Sequence, residues 1–199
     1  MKNSSRPADT VVDKGTVAGR TYTNTKFQFE ITFPDTWLIP GDDFEGFMKS
    51  QGYDLSLKAP DTLTTAGKAT INAALKRVSI LMTAYRSMPG TADNAIMRVS
   101  VENLSGNPQI KDAVDYFDAM RASFKTLKLP ADFHYSETQA EQLGTMQFAY
   151  LDATSKAGKK RMYATVRNGF AILFTLSYSS DADLATMRRV LDEGNFDLK

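Results

Sequence analysis

The dipeptide Asn168-Gly169 constrains this chain more tightly than any other pair of residues. It sits between two apolar-alternating runs, residues 160–167 and 170–178, and the second carries Phe170, Ile172, Phe174, Leu176 and Tyr178 at every other position. A type I′ turn needs positive φ at both central residues, a conformation that asparagine and glycine tolerate. The stretch therefore predicts a tight hairpin between neighbouring antiparallel strands.

A second alternation lies near the start. Phe27, Phe29, Ile31 and Phe33 occupy every second position, with Lys26, Gln28, Glu30 and Thr32 between them. A period of two places four large apolar side chains on one face of a strand over 26–33. Pro34 ends it, because proline has no N–H for a ladder. A short strand at 21–23 pairs back through Asn24 and Thr25. Trp37 follows and is expected in the core rather than on a ligand platform.

The remaining pattern alternates strands with two clear helices. Residues 38–60, punctuated by Gly41, Gly46, Gly52 and Pro60, read as loop with a short strand near Leu55 and Leu57. A weakly patterned helix follows over 61–77. Val78–Arg86 is apolar on both faces, as in a central, doubly covered strand. Ile96–Glu102 alternates. A helix is expected from an Asn107 N-cap and Pro108 through Ile110, Val114, Phe117, Met120, Phe124 and Leu127, with Lys125 and Lys128 near its C-terminal end. Strands over 133–136 and 145–152 precede the hairpin, and a helix over 181–193, stopped by Gly194, closes the chain. Hairpins dominate and no regular βαβ alternation appears, which predicts an α+β fold with a mainly antiparallel sheet.

Bulk properties exclude several function classes. The 199 residues suit one domain, here 19–199, behind a polar lead-in over 1–18 expected to be disordered. A formal net charge of +1 offers no long-range field for nucleic acid, so none is expected as a partner. The absence of cysteine removes disulfides, thiolate metal sites and cysteine nucleophiles. No apolar run approaches the roughly 18 residues of a transmembrane helix. The polar start fits two settings: a cytosolic protein with a frayed end, or an exported domain whose leader or lipid anchor precedes residue 1. The second, extracytoplasmic setting is the expectation here.

Several motifs resemble the PsbP-like family. They are Gly19-x-x-Tyr22-x-Asn24, the 27–33 strand, Pro34-Asp35-x-Trp37, Val101-Glu102-Asn103-Leu104, Arg161-x-Tyr163-x-Thr165, the Asn168-Gly169 hairpin, and the closing helix before Phe196. The family is named for an extrinsic subunit of photosystem II and includes a small Ran-binding import factor and many bacterial proteins. The resemblance implies six to eight antiparallel strands between helix layers. It brings no catalytic residues, and the photosystem subunit's metal-associated histidines have no counterpart, since His134 is the only histidine.

Chemically competent residues are few. His134 could serve a hydrolase if a serine and a carboxylate stood beside it; otherwise it is a strand residue with a local hydrogen bond. Asp42, Asp43 and Glu45 form an acidic knot, read as a solvated loop because calcium needs more oxygen ligands at defined spacing. Lys156, Lys159, Lys160 and Arg161 cluster at a hairpin tip and are the candidate partner-binding residues, against the alternative of a solvated turn. No catalytic, cofactor or metal residues are assigned. The expectation is a non-enzymatic binding or accessory domain for a protein partner, with a cytosolic adaptor and a His134 hydrolase as alternatives.

Overall fold

The computed structural model describes residues 12–41, 43–59, 61, 63–127 and 129–198. Thr16–Ala18 (β1), Thr21–Asn24 (β2) and Phe29–Thr32 (β3) form a small antiparallel sheet. A larger antiparallel sheet holds Val78–Tyr85 (β4), Ile96–Asn103 (β5), His134–Tyr135 (β6), Gln139–Leu143 (β7), Met146–Ser155 (β8), Gly158–Arg167 (β9) and Phe170–Tyr178 (β10). Its order is β4-β5-β10-β9-β8-β6, and β7 also pairs with β8. The helices are Phe44–Ser50 (α1), Thr65–Leu75 (α2), Ala113–Thr126 (α3) and Asp181–Asp192 (α4). This is the expected α+β class, with strands in hairpins and helices packed on a sheet.

The Asn168-Gly169 hairpin forms as read. Phe170 faces Arg167 across a two-residue turn, with φ of 51° at Asn168 and 76° at Gly169. Both signs are those of type I′. β10 lies between β9 and β5 and is paired along its length with both.

The two faces of the large sheet are packed differently. One is aromatic: Phe148, Tyr163, Phe174, Leu176, Met97 and Val99 meet the N-terminal hairpin and the α4 side chains Met187, Val190 and Leu191. Phe27, Phe29, Ile31 and Phe33 are all buried here, as is Trp37 at 4% exposure. The other face is aliphatic and smaller: Ala149, Ala164 and Ala171, with Leu151 and Leu173, lie under α3, which contributes Tyr116 and Phe117. Alanines let a helix approach closely, whereas bulky rings fill the wider gap beneath a second sheet.

Several expectations are corrected. The 26–33 strand is shorter, because Asn24 Oδ1 accepts the Phe27 N–H at 3.0 Å and residues 25–28 make the turn. Its burial pattern nevertheless holds. Residues 12–18 are not a loose lead-in: β1 pairs with β2, and the Tyr22 hydroxyl donates to Lys14 O at 2.7 Å. Residues 1–11 lie outside the described residues. The 38–60 stretch contains α1 and no strand at Leu55. β4 is an edge strand rather than a central one. Its apolar composition reflects packing on the aromatic face and the Tyr85 contact with Phe44, 5.8 Å between ring centroids. α3 starts at Asp112 rather than Asn107, since Asp112 Oδ1 accepts the N–H groups of both Val114 and Asp115 at 2.9 Å. Residues 107–110 instead make a turn, with the Ile110 N–H donating to Asn107 O. β7 escaped the sequence reading because Gln139-Ala-Glu-Gln carries almost no apolar signal.

Two substitutions test this packing. Trp37→Ala is expected to cost about 3–5 kcal/mol, as for other buried aromatics, measured by denaturant unfolding; a loss well below 1 kcal/mol counts against core placement. Gly169→Val is expected to lower the melting temperature markedly, because a β-branched residue resists φ of 76°. Gly169→Asn, tolerant of that region, should lose much less.

Candidate functional site

At one end of the large sheet, α3 no longer covers the alanine face, and a groove of about 630 Å³ opens there. Its floor is the end of β5, β9 and β10: Ile96 pairs with Ser177, and Ser177 with Lys160, while Arg98 pairs with Thr175. Alternation along the strands puts Ile96, Arg98, Lys160 and Ser177 on one face. Three connections wall it: the loop after α1 with Tyr53 and Asp54, the β4–β5 loop, and the β8–β9 turn.

Each wall is held by local chemistry. The β4–β5 loop is closed by Asn94, whose Oδ1 accepts the Ser87 N–H at 2.8 Å and whose Nδ2 donates to Ser87 O at 2.6 Å. Gly90 in this loop has φ of 90°, and a Cβ there would stand 2.6 Å from the Tyr53 ring. The same loop is tied to α4, because Arg86 Nη1 donates to the buried Asp183 at 2.6 Å. Asp183 also completes the capping box with Ser180. The β8–β9 turn is anchored where the Lys156 N–H donates to Asp132 Oδ2 at 2.8 Å.

The groove is cationic. Arg98, Lys156, Lys159 and Lys160 line it, against Asp54 and Asp93. Asp54 is held by an ion pair with Lys58, which keeps its carboxyl well below the usual range. Lys159 lies 3.8 Å from the exposed Asp181. Lys160 is exposed over much of its surface, yet protein atoms crowd its ammonium. That desolvation, and then the nearby Arg98 guanidinium, push its pKa down. Arg98 is half-buried, its Nε is closed to solvent, and that N–H has no hydrogen-bond partner.

The lysine–arginine cluster read at the hairpin tip is therefore divided. Lys156 and Lys160 reach the groove and Lys159 stands at its rim beside Asp181, but Arg161 does not line it. Neighbouring strand residues point to opposite faces, so Arg161 turns towards the aromatic side. There its Nε and Nη2 each donate to Asp152 at 2.7 Å, and its guanidinium lies 4.3 Å from the Tyr150 ring centroid. Tyr163 donates to Glu141 at 2.6 Å, and Glu141 also receives Arg188 of α4. These groups satisfy one another and stitch β7, β8, β9 and α4 together.

The other candidates are dispersed. His134 is exposed on β6, opposite Thr154, and does not line the groove. Asp43 precedes α1 without a side-chain cap bond, Glu45 lies in its first turn, and Asp42 falls outside the described residues. Among the described residues, no three His, Asp or Glu side chains gather as metal ligands. Arg98, Tyr53 and Asp54 were missed by the sequence reading. Arg98 looked like an ordinary polar position of an alternating strand, and only tertiary structure tells which polar face is left open.

No protein-family model matches the sequence, and no curated protein does. Among solved structures, the chain is similar to the solution structure of cyanobacterial PsbP from Synechocystis sp. PCC 6803. The identity is 13%, the match covers 91% of this chain and 97% of that one, and the TM-score is 0.47. It is also similar to a crystal structure from Bacteroides thetaiotaomicron, at 12% identity and a TM-score of 0.40, covering 89% of this chain and 48% of that one. The PsbP-like proteins that the sequence motifs resemble are thus represented among these structures. No residue role is taken from either.

Burial of the phenols makes a pH prediction. Burial, followed by the Glu141 contact, pushes Tyr163 up to about 12, and burial also raises Tyr22 to about 12 from the ordinary 10.0. Between these values the folded state keeps protons that the unfolded chain releases, so stability is intact below pH 10 and falls as pH rises towards 12. Melting temperatures across this range should drop, and less steeply in Tyr163→Phe; identical slopes would contradict the assignment.

Proposed function

We propose that this chain is a binding domain without catalytic machinery, and that its working surface is the groove at the end of the large sheet. One observation carries this reading: three separate connections converge on a cationic floor and border an open groove of about 630 Å³. That volume falls in the range of roughly 300–1,000 Å³ typical of sites for small ligands. The groove offers cations, tyrosines and hydroxyls, which are groups that hold and orient a ligand. The sequence reading expected a protein partner; the concavity favours a small ligand instead. His134, the residue on which a hydrolase would depend, stands outside the groove.

The extracytoplasmic setting expected from the sequence is carried forward as part of this proposal. Among the described residues, no helix is long and apolar enough to cross a membrane. Fractionation of native cells with an antibody checks the setting, and signal confined to the cytosol overturns it.

Binding is tested by dialysing the pure protein against a protein-free extract of its native cells and identifying retained compounds by mass spectrometry. Thr91 and Ala157 are exposed groove residues. The expected result is a retained compound that is lost in the Thr91→Trp/Ala157→Trp variant and unaffected by Asn107→Ala at the other end of the sheet. Unchanged retention in the blocked variant overturns the groove assignment. Release of the compound in chemically altered form overturns the non-catalytic half.

A further inference from the structure

We propose that the floor of this groove is an oxyanion site, where Arg98, Lys160 and Ser177 hold the carboxylate or phosphate group of a small organic anion. The inference rests on the groove being the ligand site. Its first support is the state of Arg98. Elsewhere Arg161 is neutralised by Asp152, Arg86 by Asp183 and Arg121 by Glu137 and Asp118, while Arg167, at the far end of β9, donates to the Phe27 and Gln28 carbonyls. Arg98 pairs with no described carboxylate, and its buried Nε–H donates to nothing. Buried unsatisfied donors are costly and few; Arg121 Nε is another, but that guanidinium is ion-paired twice, so it is the missing carboxylate that sets Arg98 apart.

The second support is position. Arg98 on β5 and Lys160 on β9 flank β10 on the same face. Two strand spacings across and two residues along place their Cα atoms about 12 Å apart. Two long side chains reaching inwards leave room between them for one oxyanion, above Ser177. An arginine fork and a lysine ammonium suit carboxylate and phosphate alike. Like charges held this close in a partly desolvated place repel, and a bound anion removes that repulsion. The carboxylates in the groove do not already serve: Asp54 is engaged by Lys58, and Asp93 forms no ion pair with Arg98 or Lys160 among the described residues. Tyr53 at the groove's side suits the organic part of the ligand.

The test is a nuclear magnetic resonance titration of the full chain with phenyl phosphate and, separately, benzoate. Saturable shifts are expected at the amides of Ile96, Arg98, Lys160 and Ser177. Arg98→Gln should weaken binding roughly tenfold or more, the factor for one charge-assisted hydrogen bond. Lys111→Gln, at the opposite end of the sheet, should leave binding unchanged. Because Arg98 has no ion pair with a described carboxylate to break, Arg98→Gln should stay close to the wild-type melting temperature, so lost binding is not lost fold. Should it fail to fold, Lys160→Gln carries the same expectation. The probe that binds more tightly names the oxyanion. Saturation by neither probe, shifts centred elsewhere, or wild-type affinity in Arg98→Gln overturns the proposal. Retention of a neutral or cationic compound from the cell extract overturns the oxyanion site while leaving the binding reading standing.

Discussion

Four phenylalanine rings hold this structure together. Phe29 comes from the N-terminal hairpin, Phe148 and Phe174 from the large sheet, and Phe196 from the segment after α4; each is at most 1% exposed. Phe148 and Phe196 meet edge-on at 5.2 Å between centroids, and Phe29 and Phe174 at 5.4 Å. Such contacts add about 0.5–1.5 kcal/mol per pair beyond burial. More importantly, they connect parts far apart in sequence. With Phe29 and Phe196 seated side by side, the Glu30 and Asn195 backbones exchange hydrogen bonds of 2.8 and 2.9 Å. The small sheet and α4 are thereby committed to one face. The opposite face is left to α3, which is too short to cover it from end to end. The groove occupies the uncovered end.

How legible this was depended on whether a signal was local. Asn168-Gly169 carried its own turn chemistry, so its hairpin could be read in isolation. The Phe27–Phe33 alternation reported burial correctly even though the strand begins only at Phe29, because a turn can continue the same inward spacing. Signals with local rivals were misread. Asn107-Pro108 and Asp112 are both plausible helix starts, and the choice falls to Asp112, whose carboxylate accepts two N–H groups. β7 has a polar sequence and exists because β8 offers it an edge. The edge position of β4 was invisible for the converse reason: an apolar strand reads as central whether its cover is other strands or a helix such as α1.

The candidate site was less legible still. Lys159, Lys160 and Arg161 are consecutive, so the sequence presents them as one cluster. The pleat separates them, and the difference is chemical as well as geometric. Arg161 is consumed by Asp152 directly across the strands, and its stacking on Tyr150 makes it part of the fold. Lys160 faces the other way, towards a residue 62 positions earlier in the numbering that no local pattern connects to it. A groove assembled from β5, β9, β10 and three loops has no contiguous signature.

The two ends of β5 show what an unpartnered charge means here. Glu102 and Arg98 project from the same face, four residues apart. Glu102 is 9% exposed and is answered twice: the Tyr116 hydroxyl donates to it at 2.7 Å and Arg77 Nε at 3.1 Å. Burial and that carboxylate together hold the Tyr116 phenol well above its usual range, which fixes the proton on the tyrosine side of the bond. The α3 end of the face is thus electrically closed, and a buried charge there is tolerated because it is paired and hydrogen-bonded. At the other end Arg98 has no such answer, and Lys160 adds a second positive charge instead of a compensating negative one. The same strand therefore applies the rule of charge compensation at one end and leaves it unmet at the other. The unmet end is the one that opens to solvent through a groove, where an anion from outside the chain can complete it.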